Sequence, residues 1–536
     1  MKHRTIRVVI AVALGLLVGV FRYLSVAGFS NDHYMHVAAG QQISMGELPS
    51  RDYVEFGLPL MELLSAIPFW ILPDAPLFGE AVLVALMFGL AAVLTLYAAR
   101  RLTGSWWIAV LVVALEVVIF PRTYSYPKIL AYAAGFLVMW RYVERPSLSR
   151  LAQLAAVVVL AFGLRHDHGF YLGVGSLLTV VLVGMTVDGK TVLRTAMTFS
   201  GAVLLMLSPY IMFVATHDGL WRHVMRGIEL QAVESSRGRT IPEFAFDGSL
   251  LDSNAVPWLF FFFHLLPVCA AIVAWMRWPR HPDPLERSMV VPLIVVAVLA
   301  NAGLIRDTIS ARLPDAIVPV SLLLGWLLAG AMRMHSLRGR GLAWVAATAL
   351  VTVTLASATV ISSTKEQLEK AEMLGGLARL WDHARARTAE LHERFPKAQM
   401  PSAVASALMP FLEYADRCLD RRDHILLPAY APEVFVWARR PFAGGQAWFQ
   451  PGLLTRDEDH REVMGRLAAQ RVPVAVLLSP SAEGVVARFG ELGVYLEQHF
   501  PDRVALNTED GRRITLAFSQ ALAVGHDPAT GWLCYR

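Results

Sequence analysis

Charge is what this sequence has least of. Asp, Glu, Lys and Arg make up 17% of its 536 residues, against about 25% in an ordinary soluble domain, while 55% of the chain is hydrophobic. That imbalance excludes a single soluble globule and points to a chain that crosses a membrane many times. Cysteine is scarce as well. There are three, with no CxxC and no Cys/His spacing of a zinc site. Cys269 lies in an apolar run, and Cys418 and Cys534, both in the tail, leave a disulfide open. A glycine-rich phosphate loop is missing, and so is any internal repeat. The net charge of +5 belongs, in a membrane protein, to cytoplasmic loops, so nucleic acid is not an expected partner.

What is there is a ladder of apolar runs. Eleven of near-spanning length lie around 8–27, 76–99, 105–121, 127–143, 150–164, 169–187, 194–216, 257–276, 288–305, 314–332 and 341–361. The first follows a basic stretch as a signal peptide would. Its apolar part is long and no A-x-A site follows, so an uncleaved span with a cytoplasmic N-terminus is expected. A shorter run, Leu58–Leu72, contains Pro59 and Pro68. If it does not cross, sixteen Lys and Arg residues fall inside and ten outside; if it does, the bias vanishes. The expectation is therefore a polytopic α-helical membrane protein of about 11–13 transmembrane helices. Residues 1–362 form the membrane part, with a first outside loop at 28–57, and 363–536 form a soluble extracytoplasmic α/β domain. In that tail, 365–392 and 482–500 have helical periodicity. "PVAVLL", "RVALN" and "RRITLAF" have that of strands, the last two around a turn at "EDG".

The scarce charges then gather on one membrane face. The outside segments carry "SNDHYMH", "PSRDYVEF", "PRTYSYPK", "LRHDHGFY" and "LIRDTISARLPD", whereas the inside loops are plain. Ionisable groups at membrane depth are costly and mark candidate functional sites. Each also has a plainer reading. Asp32 suits the N-cap of the helix that "HYMHVAAGQQI" predicts. Asp52, after a Pro-Ser-Arg turn, pairs naturally with Arg51. His166, Asp167 and His168 form a loop network more readily than a metal site. Arg306 and Asp307 form an ion pair at a helix end, and Lys128 snorkels to the headgroups.

Taken together these motifs resemble a family. A first span, an Asp with an aromatic residue two positions on, a helix, "GELPSRDY" and a proline-containing apolar run look like the first loop of GT-C-fold membrane glycosyltransferases. Protein O-mannosyltransferases and aminoarabinose transferases belong to that group. "LRHDHGFYLG", "RDTISARLPDAIVPVSLLL" and the tail stretch "LLPAYAPEVFVWARRPFAGG" are similar to later stretches of bacterial members. The resemblance implies an enzyme of the plasma (inner) membrane. It would take a sugar from a polyprenyl-phosphate donor and pass it, with inversion, to a cell-envelope acceptor (a glycan, lipid or protein) on the outer face. It also implies roles. Asp32, aided by Asp52, would be the catalytic base. Arg306, then Arg165 and Lys128, would hold the leaving phosphate. His33, Arg51, His166 and Asp167 would contact sugar or acceptor. No cofactor is expected for a lipid monophosphate donor, although diphosphate-using relatives employ a divalent metal. Many relatives carry a second carboxylate directly after the first-loop Asp; here that position is His33, which argues against protein O-mannosylation. Two other readings compete: a transporter or flippase for a lipid-linked glycan, and a non-catalytic glycan-binding relative. A transporter would show repeated halves and charges at mid-span, and the sequence shows neither.

Overall fold

The computed structural model describes residues 2–26, 28–235, 241–246, 253–279, 283–305, 309–333, 337–395, 403–450, 453–508, 511 and 513–536. These fall into two compact units. One comprises Met1–Ser25, Val82–Met212 and Glu234–His383; the other comprises Val26–Ala81, Phe213–Val233 and Ala384–Arg536. The division expected at 362/363 follows hydropathy, whereas these units follow packing, and their segments interleave along the chain.

The first unit is helical. Among the described residues, seven helices of the chain are long and apolar enough to cross a membrane, or eight if the bent pair Ala347–Ile361 and Thr364–Lys370 counts as one. Three of the expected runs form helices that fall short of that test. Trp106–Val118 has 13 residues and Leu148–Leu164 has 17, about 20 and 25 Å at 1.5 Å per residue. Tyr126–Glu144 has the length, with 19 residues, but carries Lys128, Arg141 and Glu144. Small residues set the closest helix contacts. A Cβ on Gly89 would lie 2.6 Å from the Gly15 carbonyl oxygen, the close approach that membrane helices use where lipid supplies no hydrophobic drive.

The second unit holds the first loop and the α/β fold. Helix Asn31–Ser44 begins after Ser30, so Asp32 sits in the first turn rather than at the cap where the sequence placed it. An acid there still complements the helix dipole. Helix Pro59–Ile71 has 13 residues, about 20 Å against a hydrocarbon core of about 30 Å. The two helices press together at Gly40, where a Cβ would come within 2.6 Å of the Ser65 carbonyl carbon.

The sheet has β1 (Ile425–Leu426), β2 (Val474–Leu478), β3 (Asp502–Asn507) and β4 (Arg513–Phe518) in the order β1-β2-β4-β3. β1 is parallel to β2, and the other pairs are antiparallel. Val476 and Val504 both face Leu516 in the register. Helices Asp457–Ala469 and Gly490–His499 cover it through Val463, Leu467, Leu492 and Leu496, which are buried with Ala475 and Ala517. Cys418 and Cys534 form a disulfide, Cα to Cα 4.8 Å.

Two helices expected as continuous are broken. The 482–500 segment splits into Ser481–Arg488 and Gly490–His499 because Phe489 leaves helical geometry and is buried in the core. The 365–392 segment splits into Thr364–Lys370 and Leu377–His392 at Gly375–Gly376, and Gly376 has φ +89°, a conformation that glycine adopts at little cost.

Gly40→Ala should lower stability by about 1–3 kcal/mol, since backbone rather than a flexible side chain must move. Gly465→Ala, on a helix with nothing within 4 Å of the added carbon, should raise it by about 0.5–1 kcal/mol. Thermal unfolding of the purified chain in detergent measures both.

Candidate functional site

In the second unit, the site begins with Asp32. Its carboxylate is partly exposed and accepts a hydrogen bond from the Tyr430 hydroxyl. Tyr430 stands in the tail stretch Leu426–Gly445, and this whole stretch is fastened to helix Asn31–Ser44. Asn31 Nδ2 donates to the Tyr430 carbonyl at 3.4 Å. Gln41 Nε2 donates to the carbonyls of Phe435 (3.1 Å) and Arg440 (3.0 Å). Gln42 accepts from the Phe442 amide at 3.1 Å and donates back to its carbonyl at 3.4 Å. Trp437 meets Tyr34 edge-on, centroids 5.8 Å apart. Trp448 packs between Tyr430 and Phe56, with centroid separations of 5.5 Å to each.

The other first-loop residues serve the loop itself. His33 is fully buried; its Nε2 lies 2.8 Å from Glu80 Oε1, and its ring stacks on Phe29 at 4.4 Å. Ser65 Oγ donates to the same Glu80 oxygen at 3.1 Å. Asp52 locks a turn by accepting from the Leu48 amide (2.7 Å) and Arg51 Nε (2.8 Å), while Arg51 also donates to the Gly46 carbonyl. Glu55 accepts from the amides of Gly57 and Leu58.

The first unit holds a second cluster, assembled from three helices and the residue just before one of them. Lys128, at the start of Tyr126–Glu144, pairs with Asp315 in Ile309–Met332. His168, in His166–Met185, lies 3.9 Å from Asp315 and 3.8 Å from Asp167, and its Nδ1 is 2.6 Å from the Tyr132 hydroxyl. Arg165 holds Asp167 with two nitrogens, at 3.2 and 3.4 Å. Arg312 reaches Asp315 at 3.8 Å. Gly169 sets this geometry, since a Cβ there would fall 2.3 Å from Phe162 Cα. Helix His166–Met185 can therefore start tight against Leu148–Leu164. Among the described residues, a lysine and two arginines thus face two carboxylates, a set suited to an anion such as a phosphate.

The His166 ring stacks on Phe162 at 4.3 Å and lies 6.3 Å from the Tyr210 ring. Arg306 lies outside the described residues. Among those described, no three His, Cys, Asp or Glu side chains are grouped to hold a metal. The sequence reading did not select Tyr430, Tyr132, Arg312 or Asp315. An acid within a spanning helix was a usable signal for Asp315; the sequence held none for Tyr430.

The fold, many apolar helices with a small α/β sheet, is the one the GT-C resemblance implies, and it has a solved counterpart. The crystal structure of ArnT from Cupriavidus metallidurans bound to undecaprenyl phosphate is similar over 96% of this chain and 98% of its own, with a TM-score of 0.52 and 14% identity. ArnT from the same organism in the apo state covers the same shares at 14% identity, with a TM-score of 0.48. At such identity the likeness is one of fold. The chain matches no family model and no curated protein.

Lys128 is 1% exposed, and removing one partner of a buried pair strands the other charge. Lys128→Met should therefore cost about 3–5 kcal/mol, and Lys128→Met/Asp315→Leu should recover most of that; thermal unfolding of both variants checks the order. In the tail stretch, burial pushes the Glu433 carboxyl up to about 7. Its folded-state pKa thus lies above the unfolded value of about 4.3, and the proton favours the folded state. Stability from this group is complete below about pH 4 and is lost as pH rises through about 7. Glu433→Gln should remove that decline, seen as a smaller loss of melting temperature between those pH values.

Proposed function

We propose that this chain is a membrane glycosyltransferase that moves a sugar from a polyprenyl-phosphate donor to a cell-envelope acceptor on the outer face of the membrane, with inversion. The observation that carries the reading is Asp32, partly exposed in the first turn of its helix and held there by Tyr430. The fold agrees, since ArnT with that fold has been captured with undecaprenyl phosphate. The Cys418–Cys534 disulfide supports an oxidising compartment for the tail, hence the outer face of the plasma membrane.

The chemistry is a single displacement. The acceptor hydroxyl loses its proton to an Asp32 oxygen while its own oxygen attacks the anomeric carbon of the donor sugar. The bond from that carbon to the phosphate oxygen breaks with its electron pair on the phosphate, which departs as polyprenyl phosphate. One attack from the opposite face inverts the anomeric centre. Negative charge grows on the leaving phosphate, and Lys128, Arg165 and Arg312 are the cations proposed to stabilise it. No metal or cofactor is required for these steps. His33 is occupied by Glu80, so on this helix the proton has Asp32 as its acceptor.

Asp32→Asn should abolish transfer, by at least about a thousandfold, as expected for loss of an essential general base, with melting temperature unchanged. Tyr430→Phe should keep the fold and reduce kcat by about tenfold or more through loss of an orienting hydrogen bond. The assay compares lipid A and surface glycans by mass spectrometry in cells with and without each variant, then repeats transfer in nanodiscs with the donor so identified. Full transfer by Asp32→Asn would refute the base.

A further inference from the structure

Helix Leu220–Ser235 is built inside out. Arg222, Arg226 and Glu229 recur at helical spacing on one side, and this charged side is the covered one. Arg226 is 2% exposed and spends its guanidinium on three carboxylates: Asp218 at 2.8 Å, Asp459 at 2.9 Å and Glu462 at 2.5 Å. Arg222 adds contacts to Asp218 (3.0 Å) and Glu462 (3.1 Å), and Arg456 pairs with Glu229. All these groups belong to the second unit. The apolar side faces outward, with Trp221 at 75% exposure and Ile228 at 53%, and Leu220 and Val224 beside them. A helix that met only protein and water would be arranged the other way round.

Its place in the chain says what covers that side. The helix follows the apolar span Gly189–His217 after only Asp218 and Gly219. Gly219 adopts φ +82°, so the chain turns where that span ends. Asp218, at the turn, is also one of the carboxylates that fix Arg226. A helix starting at the end of a spanning helix, with Trp and aliphatic side chains on one side, has the composition of one lying in the interface plane, its apolar side about 5–10 Å into the headgroup and acyl boundary.

We propose that Leu220, Trp221, Val224 and Ile228 dock helix Leu220–Ser235 into the leaflet at which span Gly189–His217 ends, while Arg226 clamps its other side to helix Asp457–Ala469. The occupant of the exposed apolar side is the lipid surface itself. The unit that carries Asp32 thereby has its own hold on the bilayer, whether or not the chain transfers a sugar.

Single cysteines test this on the full chain in lipid nanodiscs. Cys269→Ser leaves only the disulfide cysteines, so Ile228→Cys, Val224→Cys and, as a water-facing control, Glu497→Cys can each carry an environment-sensitive fluorophore. Ile228 and Val224 labels should emit to the blue of the control. Lipids spin-labelled high on the acyl chain should quench them at least about threefold more, as expected for a residue at the interface depth. Equal emission and quenching at all three positions would overturn the proposal. So would blue-shifted emission without lipid quenching, which would mean that protein, such as a second copy of the chain, covers this side.

Discussion

Two consecutive glutamines hold the candidate base in place. Gln41 and Gln42 lie on the buried side of the first-loop helix, and their amides answer backbone groups of Phe435, Arg440 and Phe442, about four hundred residues away in sequence. Backbone carbonyls left unpaired inside a protein cost about 1–3 kcal/mol each, so this stretch of tail needs partners wherever it is buried. A side-chain amide offers both donor and acceptor, and two in succession can pair with backbone as a neighbouring strand would. Tyr430 precedes these contacts by a few residues and is brought to Asp32 by them. The glutamines share that task with Asn31, which donates to the Tyr430 carbonyl.

The same economy of charge governs the other cluster. Only 17% of the residues are charged, yet Lys128, Asp315, Arg165, Asp167 and Arg312 are gathered through contacts of under 4 Å. Burying ions is expensive and a hydrophobic replacement of equal volume is often as stable. Stability therefore does not account for the cluster. An excess of positive charge, held by neighbours rather than by water, costs no rearrangement when an anion arrives, and that is the property a departing phosphate would use.

The membrane character and the tail strands were legible in the sequence because they rest on period and composition. "PVAVLL" is buried whatever surrounds it. Asp32, Lys128, Arg165 and Asp167 were legible as charges where charge is rare. Partnership was not. His33 reads as a candidate contact until Glu80 and Phe29 are seen to enclose it, and His166 and His168 read alike although their rings pack on different neighbours. Helix Leu220–Ser235 shows the limit most plainly. Its amphipathic pattern is in the sequence, but not which side is covered, because a buried arginine is identified by the carboxylates that meet it. Two of the three, Asp459 and Glu462, lie more than two hundred residues on.

The hydrogen bond from Tyr430 fixes the direction of the Asp32 carboxylate, and a misplacement of about 1 Å can cost a hundredfold in the rate of a reaction that needs such a group. Water would solvate a partly exposed carboxylate in any case, so the tyrosine replaces one donor with another of fixed position. Trp448, packed against both Tyr430 and Phe56, holds that donor still.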